Sequence, residues 1–243
     1  YLYEYKKDSK NAIAMFEKSA TIMQKLYGQD HSSVIKMKAY IDKIVNPTKP
    51  QATVSPRVAK KVAVKKTDPS KIITWTNPKK VKKEGDELEQ LKKITEVYIN
   101  NGNANFKAKN YSSAVSDYKE ALTNQIKLYR EKHASVALSY MNIGNSYYWD
   151  KLYKQAIPNF QKAIEIRIAL SGEENENVAS SYSDLGYSLY MDDQYELAIQ
   201  NFLKVFELQK KLFGEQNKDV ATTYLNIGNC YYYNKQYEQA TPN

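Results

Sequence analysis

Cysteine occurs once in this chain of 243 residues, at Cys230, and histidine twice, at His31 and His133. A single thiol cannot build a disulfide framework within the chain, and two distant histidines with one cysteine do not make a zinc site. No run of about 18 apolar residues occurs, so no membrane-spanning helix is expected. A signal-peptide pattern is also missing, which makes the cytosol the default compartment. Glycine and proline are few, at eight and seven, and most of each are placed by a pattern. What is plentiful is tyrosine, with 22 copies, within an aromatic content of 12%. That is too much apolar surface for a chain disordered throughout.

The formal net charge of +9 is unevenly spread. Residues 1–45 carry 8 basic and 5 acidic side chains, residues 46–83 carry 11 and 1, and residues 84–243 carry 17 and 21. The middle stretch alone accounts for the excess, so a uniformly basic nucleic-acid-binding domain is a poor description. That stretch also holds Pro47, Pro50, Pro56, Pro69 and Pro78 and no tyrosine. Each proline ring removes a backbone donor and crowds the preceding turn, so a continuous helix is not expected there. Residues 46–84 read as an extended basic linker, with a short strand-like piece at Ile72–Thr76.

A repeat dominates the remainder. Gly102, Gly144, Gly186 and Gly228 are separated by 42 residues each time. Tyrosine stands four residues before each glycine (Tyr98, Tyr140, Tyr182, Tyr224) and nine after it (Tyr111, Tyr153, Tyr195, Tyr237). Alanine follows at twelve (Ala114, Ala156, Ala198, Ala240), and an aromatic at sixteen (Tyr118, Phe160, Phe202). Within each unit two apolar stripes at helical spacing flank a polar turn such as Trp149–Leu152. The small Gly and Ala mark where two helices approach closely. Neither helix can bury its stripe alone, so stacked helix pairs are the stable arrangement.

The signature Tyr140, Ile143-Gly144, Tyr147, Ala156, Phe160 resembles the tetratricopeptide repeat. Eight extra residues per unit form a connector, as at Leu212-Phe213-Gly214 followed by Val220-Ala221, and this looks like the kinesin light chain type. The resemblance implies an all-α superhelical array of antiparallel helix pairs. It covers 85–243, an array cut in its last repeat, and extends partly to residues 1–45. There Ala12, Phe16, Leu26-Tyr27-Gly28 and Val34 match Ala198, Phe202, Leu212-Phe213-Gly214 and Val220 at a constant offset of 186. A block of 1–45 is too small to stand alone; it is expected to pack on upstream residues, a partner or the open end of the second array. That array restarts at Gly85, with Asp86 and Glu89 expected as a capping box.

Little points to catalysis. Seven of the eight glycines hold repeat positions, which leaves no phosphate-cradling loop. His31 and His133 occupy the connector position taken elsewhere by Asn175 and Asn217, where a cap or loop role is expected. Cys230 reads as a small packing residue. The acidic run Glu173–Glu176 lacks the ligand spacing of a calcium loop. The chain is read as no enzyme, without cofactor or metal.

A binding face is more informative. In arrays that resemble this one, the first helices line a concave groove for an extended peptide or a partner helix. Two residues before each glycine stand Asn100, Asn142, Asp184 and Asn226; one after it, Asn103, Asn145, Tyr187 and Asn229; four after it, Phe106, Tyr148, Tyr190 and Tyr232. These share one helical face. Amides can pair with both groups of a peptide backbone, and tyrosines add contact area at little rotamer cost. The alternative is a merely solvated face rich in Asn and Tyr. A clamp for carboxylate tails is disfavoured, because the only cation near the face is Lys107. The expected function is a scaffold or adaptor holding a protein partner, and the resemblance implies a cytoskeletal or ciliary assembly in the cytoplasm. The alternative function is polyanion binding, to tubulin, nucleic acid or another acidic surface, through linker residues Lys60, Lys61, Lys65, Lys66, Trp75, Lys79, Lys80, Lys82 and Lys83.

Overall fold

The computed structural model describes the backbone of residues 2–46 and 84–240, and the side chains of 8–46 and 87–234. The basic linker residues, and the piece 72–76, lie outside the described residues. Among the described residues all regular structure is helical: α1 (Leu2–Tyr27), α2 (Ser32–Val45), α3 (Glu84–Lys107), α4 (Tyr111–Tyr129), α5 (Ala134–Trp149), α6 (Tyr153–Ser171), α7 (Glu176–Met191), α8 (Tyr195–Phe213) and α9 (Lys218–Ala240). Helices α3 and α4, α5 and α6, and α7 and α8 form antiparallel pairs, and each pair packs on the next.

The periodic glycines explain the pairing. A methyl group added at Gly102 would lie 2.7 Å from the Tyr118 ring, at Gly144 2.7 Å from Phe160, and at Gly186 2.8 Å from Phe202. The first helix of each pair is thus notched to receive the aromatic of the second. Phe160 and Phe202 are essentially inaccessible there, and truncating a ring buried to that degree costs about 3–5 kcal/mol. The short turns inside the pairs pass through the left-handed region at Lys109, Lys151 and Asp193. The connectors between pairs do so at Gly172 and Gly214, and at Arg130 (φ 68°), where the repeat substitutes a side chain for glycine.

The first helices begin alike. Nδ1 of His31 accepts from Ser33 N (3.3 Å) and Nδ1 of His133 from Ser135 N (3.2 Å). Asn175 Oδ1 and Asn217 Oδ1 accept in the same way from Asn177 N (2.8 Å) and Asp219 N (2.7 Å). The four connector residues are N-caps, relieving one of the amides that a helix start leaves without a partner. Both histidines also stack on the tyrosine that ends the preceding helix, Tyr27 at 4.8 Å and Tyr129 at 4.3 Å. By contrast, Asp86 does not stand at the N-cap position of the expected capping box. Helix α3 already begins at Glu84, which places Asp86 inside its first turn, and Glu89 instead faces Lys93 one turn on, at 3.9 Å.

The block α1–α2 sits on the open end of the second array. Phe16 enters the notch of Gly228, where an added methyl group would lie 2.8 Å from its ring, as Phe202 does at Gly186. Ser19 Oγ donates to the carbonyl of Ala221 (2.7 Å), and Ile22, Met23, Val34 and Met37 are buried with Val220, Ala221 and Tyr224. Helix α1 therefore serves as the second helix for α9, and α2 as the first helix of the next unit. The spatial order is α3 to α9, then α1, then α2.

This pair differs from the others in one respect. The repeat register predicts a turn near Asn234–Gln236 and a new helix from Tyr237, but α9 continues to Ala240. Likewise α1 runs on at its start, to 26 residues, where α4, α6 and α8 have 19. No loop joins α9 to α1. With α1 filling the place of a second helix, residues 237–240 have no free face to fold back on, and both helices extend past the level of the usual turn.

Candidate functional site

Helices α3, α5, α7, α9 and α2 are the first helices of successive units, and the expected groove residues lie along them. All are partly buried except Asn100, which is exposed. Their roles differ. The aromatics four after the glycine brace the turns: Phe106, Tyr148 and Tyr190 meet Tyr111, Tyr153 and Tyr195 edge to face at 5.6, 5.5 and 5.6 Å. Asn103 accepts a hydrogen bond from Tyr118 Oη (2.8 Å), which ties it to its own pair.

Between units, Asn226 Nδ2 of α9 donates to Tyr187 Oη of α7 (2.7 Å), so the tyrosine in the amide row bridges two repeats. Tyr190 continues to Tyr233 (5.9 Å), Tyr233 to Tyr232 (5.2 Å), and Tyr232 to Tyr40 of α2 (6.2 Å). Tyr40 stacks in turn on Phe16 (5.2 Å). An aromatic path thus crosses from the array onto the N-terminal block. Burial pushes the Tyr148 phenol up to about 12, with Tyr153, Tyr187 and Asp184 adding to it, and raises Tyr187 and Tyr190 too. These hydroxyls stay protonated and can donate to a partner.

Two acceptors stand out. Asn229 Oδ1 is fully buried and has no hydrogen-bond partner among the described residues. Asp184 replaces the amide found at Asn100, Asn142 and Asn226. Burial raises its carboxyl from 3.8 to about 6, against the opposing pull of Arg167. Arg167 forms no ion pair with it: the guanidinium is turned to the N-terminal part of α7, where one nitrogen donates to Asn177 O and Ser181 Oγ, each at 2.6 Å.

The face continues beyond Tyr232. The offset of 186 that aligned the first block also assigns Asp42 to the glycine position, which puts Tyr40 and Lys43 in the amide rows. Lys43 lies 5.8 Å above the Tyr40 ring, so Lys107 is not the only cation in this register. Cys230 is wholly buried, where other units have Ala104, Ser146 and Ser188, and burial pushes its thiol up, away from the reactive thiolate. Among the described residues no three His, Cys, Asp or Glu side chains gather as metal ligands, and no helix is long and apolar enough to cross a membrane.

The model of the tetratricopeptide repeat matches residues 135–211 and 177–242. Residues 135–242 are tetratricopeptide repeats. Its fold is similar to that of BtubC (BKLC) from P. vanneervenii, at 15% identity over 96% of this chain and 87% of that one, with a TM-score of 0.53. It is also similar to a kinesin light chain-type protein of nearly identical TPR-like repeats from Podosopora anserina, at 16% identity over 63% and 71% of the two chains, with a TM-score of 0.51. Among curated proteins none matches the chain. The 42-residue units of 135–242 are therefore tetratricopeptide repeats, and the fold is an all-α solenoid similar to those two structures. Solenoids of this kind are protein–protein interaction scaffolds, which is the level at which fold speaks to function.

Proposed function

We propose that the chain is a non-enzymatic scaffold or adaptor that holds a segment of a partner protein along the first helices. The observation that carries this reading is the buried Asn229 Oδ1 acceptor without a donor, set in a row of amides and tyrosines. A backbone N–H of an extended segment is the donor such a row accommodates, and an acceptor left bare costs about 1–3 kcal/mol. Tyr148 and Tyr190 supply contact area on either side. The kinesin light chain-like repeat supports a cytoplasmic role in a cytoskeletal or ciliary assembly, to be checked by microtubule co-sedimentation.

The test is peptide binding by the intact chain, using 12-residue peptides enriched from a random display library and measured by fluorescence anisotropy. Replacing Asn142, Asn145 and Tyr148 with Ala together is expected to weaken binding at least tenfold while the helical circular-dichroism signal persists. Unchanged binding would overturn the groove reading. The other reading, polyanion binding through 46–83, predicts the opposite pattern: loss on deleting 46–83 and a steep fall with ionic strength.

A further inference from the structure

From α3 to α9, the row two residues before the glycine is interrupted once, by a carboxylate. Asp184 sits at mid-array on α7, at the position where α3, α5 and α9 carry Asn100, Asn142 and Asn226. Among the described residues no side-chain or backbone donor reaches its carboxylate oxygens. The nearby cation, Arg167 on α6, is engaged by Asn177 O and Ser181 Oγ. The other groups around it are Tyr148 of α5 and Tyr187 on its own helix, and Tyr187 Oη is already engaged by Asn226 Nδ2.

An asparagine here would avoid the cost of enclosing a charge. A half-enclosed carboxylate is stabilised by a donor that is itself charged, since charge-assisted bonds are roughly twice as strong as neutral ones. Asn229 Oδ1 lies on the neighbouring helix α9, one turn beyond Asn226, and it too is an acceptor that lacks a donor. A carboxylate on α7 and a buried, unpartnered amide oxygen on α9 suit a group with several N–H donors. Lysine has three and arginine five. Carboxylates and phosphates have none, which disfavours an acidic ligand at this point of the face.

We propose that Asp184 is the specificity-determining residue of this face, and that it selects partner segments carrying a lysine or arginine side chain at mid-array. The proposal deepens the groove reading and rests on it for the path of the segment.

The probe is a 12-residue peptide enriched by the intact chain from the random display library, together with its variant in which the basic residue is norleucine. A basic residue at a fixed position among enriched peptides is the first expected result. With the unmodified protein, norleucine should weaken binding at least tenfold. With Asp184→Asn the two peptides should bind within about twofold of each other, because the amide no longer distinguishes them. Asp184→Asn is nearly isosteric and keeps the helix, which its circular dichroism would verify. Enriched peptides without a basic residue, or an unchanged Lys-to-norleucine ratio in Asp184→Asn, would overturn the proposal. The two readings fail separately. Neutral peptides lost on the triple Ala substitution would leave the groove standing without the charge selection. Basic peptides insensitive to that substitution but sensitive to Asp184→Asn would leave the charge site without the groove. If no peptide is enriched, both fail.

Discussion

Asp184 is the residue at which binding and stability pull apart. Its carboxyl is raised from 3.8 to about 6, chiefly by burial, so the native state holds the proton more tightly than the unfolded chain does. The stability linked to that proton is fully present below about pH 4 and is lost as pH rises through about 6. At pH 7 the ionised group therefore costs the fold about 3 kcal/mol, at 1.36 kcal/mol per pH unit. Asp184→Asn should be more stable than the parent by about that amount at pH 7, and the gap in urea midpoint should close as pH falls to 4. A gap independent of pH would mean that the charge is not what differs. The position of this residue was legible from the repeat. The bareness of its carboxylate was not, because it depends on Arg167, on another helix, turning toward Ser181. The N-caps illustrate the opposite case. A cap needs only a local acceptor two residues from an amide, so His31, His133, Asn175 and Asn217 could be aligned from spacing alone.

At the scale of the element, the pair α9 and α1 makes the same contact as the covalently hairpinned pairs. Gly228 and Phe16 stand to each other as Gly186 and Phe202 do. Gly228→Ala should cost about 1–3 kcal/mol through overpacking, and Phe16→Ala about 3–5 kcal/mol through the cavity it leaves. Combined, they should cost less than their sum, because the new methyl group occupies space that the ring has vacated. Urea denaturation of the four proteins in a double-mutant cycle measures that coupling, which for residues in contact runs at about 0.5–3 kcal/mol. Simple additivity would mean that α1 does not sit on α9. The helix pairs themselves were readable from the period of 42, which brings together the small residue and the aromatic that fills it. The over-run of α1 and α9 past the usual turns was not readable. A turn forms where a second helix has a face to return to, and here that face is already occupied by a segment remote in sequence.

For the molecule as a whole, chain order and spatial order differ: the N-terminal block lies beyond α9, and residues 46–83 connect the far end of the stack to its beginning. A protease site engineered between residues 47 and 83 gives a direct check. After cleavage the two fragments should elute together from a sizing column in native buffer and separate only in denaturant. Release of the smaller fragment as an unfolded peptide would contradict the docking of α1. The sequence offered three surfaces for that block without choosing among them, since the choice is made by the complementarity of two apolar faces rather than by any local pattern. Charge follows the same division. The net +10 of residues 46–83 belongs to the connection, and the stack it joins to α1 and α2 carries a slight negative excess.

The docking of α1 on α9 also sets a schedule for synthesis. Ser19 and the carbonyl it binds are separated by 202 residues, and translation adds about 5–20 residues per second. The apolar side of α1 therefore waits about 10–40 s for its partner. The pairs α3–α4, α5–α6 and α7–α8 can close as they emerge, but α1 cannot close on α9 until the whole array has been made. For that interval Phe16, Ile22 and Met23 lack the cover that α9 supplies. A segment that leaves the ribosome before the rest of the array is thus the last to reach its place, and the one most in need of a chaperone.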